Sequence, residues 1–349
     1  MGLARSIFTV DTHVHAQRMA AKVKDNKVKD YGDLFETMHT LPQAYDNSER
    51  ILYHMDRYGV DVAVIMPAFV MTNDVNAELV KKHPDRFVAL CADVQTQYRS
   101  QTGEKKWNLN DALEEVDAAL STGMFVGIGE GMPTSFEPIS WNERFDQVCQ
   151  VMEIIKKYKV VANYHTSFPA GYGGRGAAAK AQGNPENEMG NPLLCHEIAA
   201  AYPDVPIVMQ HAGIEGSGYR TDLYEQCLTV ARSHHNVYLE CGMWWAELYE
   251  KPLLDPNIGC TKLVWGTDFG AASTPQSWMP GRTPTTFTNQ DINAGLPAHQ
   301  IDIYGWSLRE VGKLNIPQDD LNLVMGGNAC KLYNIKTPFT RLFKQYIKV

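Results

Sequence analysis

No Cys-x-x-Cys pair occurs in this sequence. The seven cysteines, at 91, 149, 195, 227, 241, 260 and 330, are scattered and odd in number, which argues against a thiolate metal site and against a disulfide framework. Free thiols suit a reducing compartment, so a cytoplasmic protein is expected. No apolar run approaches the roughly 20 residues needed to span a bilayer. The start, Met1-Gly2-Leu3-Ala4-Arg5, lacks a signal-peptide core. Basic residues are not in excess either. Lys and Arg number 32 against 40 Asp and Glu, a net charge of −8, so neither a nucleic-acid stripe nor a polybasic membrane signal is present. Low-complexity tracts and domain boundaries are missing too. What remains is a chain of 349 residues, 44% hydrophobic, enough for one large core, and a single domain over 1–349 is expected.

Two histidines stand out at the end of an apolar run, Ile7-Phe8-Thr9-Val10-Asp11-Thr12-His13-Val14-His15. Side chains at i and i+2 of a strand share a face, so both imidazoles project together. Two converging neutral imidazoles make half of a site for zinc or a similar divalent ion. Three more ligand-type residues close later apolar runs: His165 after Val160-Val161-Ala162-Asn163-Tyr164, His211 after Pro206-Ile207-Val208-Met209-Gln210, and Asp268 after Leu263-Val264-Trp265-Gly266-Thr267.

Apolar periodicity alternates between strand and helix along the chain. Strands are expected near 6–12, 61–66, 87–92 and 124–129, in two runs ending at His165 and His211, and near 237–241 and 262–268. Helices are expected near 48–58, 73–83, 109–121, 142–157, 192–202 and 221–233, then near 299–313 and 318–333. Eight such units predict an α/β fold, a (β/α)8 TIM barrel whose strand ends meet on one face. Three long connections, 16–47, 166–191 and 269–298, leave from that face and are expected to wall the pocket, with oligomer contacts as a second use.

Gly171-Tyr172-Gly173-Gly174-Arg175-Gly176 satisfies Gly-x-Gly-x-x-Gly by letter, but no helix opens on it, so no dinucleotide is expected. Arg175 is instead a candidate clamp for a substrate carboxylate. Phe168, Tyr172, Trp244, Trp245, Phe269 and Trp278 lie on or just after strand ends and offer apolar surface for a flat ring. Arg175, Glu130, Phe168 and Trp244 are the candidate substrate contacts.

Asp11-Thr12-His13-Val14-His15, the strand-five histidine, His211-Ala212-Gly213, Gly266-Thr267-Asp268 and Gly326-Gly327-Asn328-Ala329 together resemble the amidohydrolase superfamily. They are most similar to its branch around aminocarboxymuconate-semialdehyde decarboxylase, which includes γ-resorcylate and related aromatic-acid decarboxylases. Pro84-Asp85-Arg86-Phe87 fits the same branch, and the resemblance covers about 6–335. It implies His13, His15, His165 and Asp268 as ligands of one divalent ion. It implies His211 as catalytic acid/base, with Asp268 sharing that work. Zinc is the first expectation and manganese the second, because Asp268 adds a hard oxygen.

Many relatives carry a bridging lysine at the end of strand four, where this chain has Gly127-Ile128-Gly129-Glu130. That favours a single ion. Glu130 could still bridge two ions, or orient a ligand histidine. Glu240 is a weaker candidate for such orienting. The expected reaction is non-oxidative decarboxylation of a small aromatic (hydroxybenzoate-like) or conjugated carboxylic acid. The alternative is a hydrolase of a lactone, ester, amide or C–C bond that uses metal-activated water. The expected partners are this small acid and further copies of the chain, as a homodimer or larger assembly, with no nucleic acid and no membrane.

Overall fold

The computed structural model describes residues 7–16, 48–67, 72–101, 103–135, 137, 139–166, 190–215, 218–268 and 303–336, and the backbone of 23–24 and 27–28. Eight strands form one all-parallel sheet in chain order: β1 Val10–Val14, β2 Val62–Ile65, β3 Phe87–Cys91, β4 Phe125–Ile128, β5 Val161–His165, β6 Ile207–Gln210, β7 Val237–Glu240 and β8 Leu263–Val264. The sheet rolls into a (β/α)8 barrel, as the sequence predicted. No helix among the described residues is long and apolar enough to cross a membrane.

The helices on the outside are α1 Ser48–Tyr58, α2 Asn73–Lys82, α3 Val94–Gln101, α4 Leu109–Ser121, α5 Trp141–Tyr158, α6 Pro192–Ala201, α7 Thr221–Ser233, α8 Glu250–Leu254, α9 Ile303–Val311, α10 Gln318–Asn322 and α11 Asn328–Leu332. Local sequence sets several of their ends. Thr72, Asn108 and Ser140 are N-caps that accept from the third backbone N–H onward, and Pro192 opens α6 behind the Asn191 cap.

Strand alternation divides the core in two. Val62 and Val64 of β2, Val161 of β5, Val208 of β6 and Val264 of β8 fill the barrel interior with Val10, Met66 and Leu90. Their neighbours Ala63, Ile65, Ala162, Ile207, Met209 and Leu263 face the helices instead. Period two thus builds a barrel stuffed with branched side chains on one side and a helix-facing shell on the other. α11 closes the base: Ala329 and Tyr333 join the interior cluster, and the Tyr333 hydroxyl donates to Asn163 Oδ1 at 2.7 Å.

The seam between first and last strands is held by one carboxylate. Thr12 N–H donates to the Trp265 carbonyl at 2.9 Å. Asp11, fully buried, accepts from the Thr267 N–H at 2.9 Å and the Thr267 hydroxyl at 2.6 Å. Gly266 lies here because a Cβ would fall 2.6 Å from Thr12 Oγ1 and 2.9 Å from the Glu240 carboxylate.

Three expected elements differ. β1 starts four residues later than predicted and ends two residues later, which brings His13 inside the strand. β8 pairs over two residues only, so Asp268 stands beyond the ladder on the continuing chain. The single helix expected near 318–333 is broken by a π-type turn, Leu323–Gly327, at the Gly326-Gly327 pair. Asn328, just after it, donates to the carbonyls of Cys260 and Leu263, both at 2.8 Å, and so pins the start of β8. Arg175 and Phe168, like Tyr172, Phe269 and Trp278, lie outside the described residues, as do 167–189, 269–302 and, apart from the backbone of 23–24 and 27–28, 17–47.

Candidate metal centre

The residues at the strand ends meet at the C-terminal mouth of the barrel. His13 is fully buried, and its Nε2 lies 3.1 Å from His15 Nε2 and 3.4 Å from Asp268 Oδ1. His15 Nε2 is 3.2 Å from the same Asp268 oxygen and 3.5 Å from Glu130 Oε2. Glu130 Oε1 lies 3.1 Å from His165 Nε2 and 3.2 Å from His211 Nε2. His13, His15 and Asp268 form one three-ligand group, and His13, Glu130 and His211 form another. His165 is brought to the cluster through Glu130 and through its ring, 4.6 Å from that of His211.

The histidine and carboxylate atoms that point inward are the donor set a divalent ion takes. Asp268 Oδ1 is buried without a well-formed hydrogen bond, an orphaned acceptor facing two imidazole nitrogens. The residues fit an ion. The His165, Glu130 and Asp268 side chains keep 13–16% of their surface open, whereas His13 keeps none.

Carboxylates around the cluster set its charge. Burial opposes a charge on His13, but Glu240, Asp268 and Glu130 outweigh it and push its pKa up to about 10. Glu130 is held well below the usual carboxylate range because, against the cost of its burial, His165, His211 and His13 favour its anion. Asp268 is lowered in the same way by His13 and His15. His165 is lowered by burial, which keeps the ring neutral and its lone pair available.

Glu240, at the end of β7, orients the cluster from beneath. Its oxygens lie 3.0 and 3.2 Å from His13 Nδ1, which turns Nε2 towards the mouth. The same carboxylate accepts the His211 backbone N–H at 3.2 Å. Both His211 (φ 63°) and Asp268 (φ 55°) sit in the left-handed region, which side-chain-bearing residues enter rarely and hold only where surroundings fix them. At His211 the fixing groups are Glu240 and Trp244, whose indole N–H donates to the next carbonyl, Ala212, at 3.2 Å.

Trp244, expected as a substrate contact, lies behind the His211 turn. It is fully buried and packs edge-to-face on Tyr224 and Tyr249, and so braces the His211 turn. Its neighbour Trp245 is half-buried against Tyr219. Glu130, also expected as a substrate contact, lies among the ligand atoms.

Sequence reasoning missed the groups that shape the chain on either side of Glu130. Gly129 passes so close to Asn163 that a Cβ would fall 2.5 Å from the asparagine Cβ. Beyond Glu130, buried Arg144 of α5 donates to Thr134 Oγ1 at 3.0 Å and to the carbonyls of Ser135 and Glu137, tying down the loop after β4. A buried arginine whose partners are mostly backbone carbonyls leaves no spacing signal in a sequence.

Comparisons with known proteins agree with this architecture. A family model described as Amidohydrolase matches residues 10–335. The fold is similar to that of 5-carboxyvanillate decarboxylase from Sphingomonas paucimobilis, with 14% identity, 95% of this chain and 100% of that chain covered, and a TM-score of 0.56. It is similar to 2,6-dihydroxybenzoate decarboxylase from Rhizobium, at 15% identity, 94% and 99% coverage and a TM-score of 0.53. A dihydroxybenzoic acid decarboxylase from Polaromonas sp. JS666, with bound manganese and the inhibitor 2-nitroresorcinol, gives 15% identity, 97% and 99% coverage and a TM-score of 0.53. At these identities the likeness is one of fold. No curated protein matches the sequence.

Proposed function

The chain belongs to the amidohydrolase family, and on that premise we propose that it is a metal-dependent carboxy-lyase. The reaction is the non-oxidative loss of carbon dioxide from a small aromatic, hydroxybenzoate-like, or conjugated carboxylic acid. The observation that carries this reading is the convergence of His13, His15 and Asp268, and of Glu130 and His211 with the same His13, at the strand ends. His13, His15, His165 and Asp268 would hold one divalent ion, zinc or manganese. Such an ion supplies a Lewis acid for the substrate carboxylate and the oxygen beside it.

The chain's own residues handle the proton. Burial opposes a charge on the His211 ring, but its hydrogen bond with Glu130 and the nearby Asp268 and Glu240 carboxylates together outweigh this and raise its pKa. His211 Nε2, 3.2 Å from Glu130 Oε1, is thereby placed to hold and pass a proton within the cluster. As the bond to the carboxyl carbon breaks, the electron pair stays on the ring or chain carbon, and that carbon takes the proton. Carbon dioxide leaves without oxidant or organic cofactor. Asp268 is the second acid/base group, and Glu240 keeps both His13 and the His211 backbone in place throughout.

Purified protein should release carbon dioxide from at least one member of a hydroxybenzoate panel, and a chelator should abolish the release. Ester, lactone or carbon–carbon cleavage with every carboxylate intact would reject the reading. One observation favours that hydrolytic alternative. Glu130 reaches His15 with one oxygen and His165 and His211 with the other, the posture of a carboxylate between two ions. Two tightly held ions per chain, instead of about one, would move the assignment to a hydrolase.

A further inference from the structure

A second pair of histidines meets on the outside of the barrel. His196 is an exposed residue of α6, and His234 is the C-cap of α7, three residues before β7 begins. The start of β7 lies at the barrel end opposite the strand tips that carry the metal centre, so the two histidine groups are separate. His234 Nε2 and His196 Nδ1 are 2.8 Å apart, with ring centroids at 4.6 Å and planes at 66°.

We propose that His196 and His234 form a surface site for a divalent late-transition ion of the Cu2+ and Ni2+ class, a two-imidazole clamp that ties α6 to α7. The separation suits it. Two nitrogens each bound at about 2.0 Å and at right angles around one ion stand about 2.8 Å apart, whereas tetrahedral bonding spreads them to about 3.3 Å. Right-angle geometry is the preference of tetragonal Cu2+ and Ni2+. In the metal-free pair one N–H lies on the line between the nitrogens. When an ion binds, the donor ring carries that proton on its other nitrogen instead, by exchange through water, and after a small rotation both rings offer a lone pair to the ion while staying neutral.

The backbone on both sides is already fixed. His196 sits within a helix, the His234 N–H donates to the Val230 carbonyl at 3.2 Å, and the His234 carbonyl accepts from Lys262 Nζ at 2.7 Å. Burial, with His196, Lys262 and His235 nearby, holds the His234 pKa below its usual range, so the ring is neutral and able to coordinate near pH 7. Ligand chemistry separates this pair from the internal centre. Neither residue of the clamp is a hard oxygen donor, so Mn2+ has little to hold it there, while the carboxylates inside the barrel suit Mn2+ well.

That contrast makes the test. Protein loaded with Mn2+ and freed of excess is titrated with Ni2+ alone and followed by calorimetry and thermal unfolding. One further ion per chain should bind, with a rise in Tm. His196→Gln and His234→Gln should each weaken that binding by about 10²-fold, the scale on which a second linked contact raises avidity, while the Mn2+ content stays unchanged. No further ion, or a further ion held equally well by both variants, would overturn the proposal. If His234→Gln disturbs the end of α7, His196→Gln decides the matter alone, because its side chain is exposed on the middle of its helix.

Discussion

His13 and His211 lie 5.0 Å apart by ring centroid, yet their surroundings assign them different work. His13 has Nδ1 locked by Glu240 and Nε2 aimed at His15 and Asp268, which leaves it no freedom but to coordinate. His211 has Nδ1 against Met243 Sδ at 3.1 Å and Nε2 on Glu130, a position from which a proton can be held and passed. His13→Ala should therefore lose the ion and the activity together. His211→Asn should keep most of the ion and lose turnover by roughly 10²-fold or more. Metal analysis beside kcat separates the two, and equal metal loss in both variants would contradict the division of labour. The His-x-His pair and the strand-end His165, His211 and Asp268 were legible in the sequence because each closes an apolar run. Glu240 was visible only as a weak candidate. A lone carboxylate in a strand looks the same whether it faces solvent or a buried imidazole. Only closure of the barrel brings β7 across to β1, 227 residues away in sequence.

Among elements, α3 shows what periodicity cannot find. Its sequence, Val94-Gln95-Thr96-Gln97-Tyr98-Arg99-Ser100-Gln101, has no apolar stripe, so no helix was predicted there. The helix is held instead by polar contacts at its start. Glu115 of α4 accepts the N–H groups of Gln95 and Thr96, both at 2.8 Å. The fully buried Asp93 accepts from Gln97 Nε2 at 2.6 Å and Trp107 Nε1 at 2.7 Å. Burial pushes the Asp93 pKa up to about 6, above what its two hydrogen bonds pull down. An unfolded chain would show about 4. The folded form thus binds this proton more tightly, so the associated stability is full below pH 4 and is lost as pH rises through 6. Two pKa units correspond to about 3 kcal/mol. Urea midpoints of wild type and Asp93→Asn across pH 4–7 should show the wild type losing ground to the variant as pH rises. A difference independent of pH would refute the assignment. Elements with strong patterns fared better: α4 and α7 begin and end where the sequence predicted, whereas the 318–333 helix broke at its two glycines.

At the scale of the whole molecule, the barrel was readable because it is a repeated solution. Each unit needs an apolar strand, a turn and a helix with one apolar face, and that alternation survives in composition even where individual boundaries slip. Convergence of the site follows from the same repetition, since parallel strands deliver all their C-terminal residues to one mouth. What the pattern does not carry is the reaction, because decarboxylation and hydrolysis would begin from the same cluster of histidines and carboxylates. The most direct measurement is turnover of the metal-loaded protein in heavy water enriched in oxygen-18, with its best carboxylic-acid substrate. The account predicts release of carbon dioxide and a product with one deuteron on the carbon that lost its carboxylate, and no oxygen-18. A product that keeps its carboxylate and carries oxygen-18 from the solvent would contradict it.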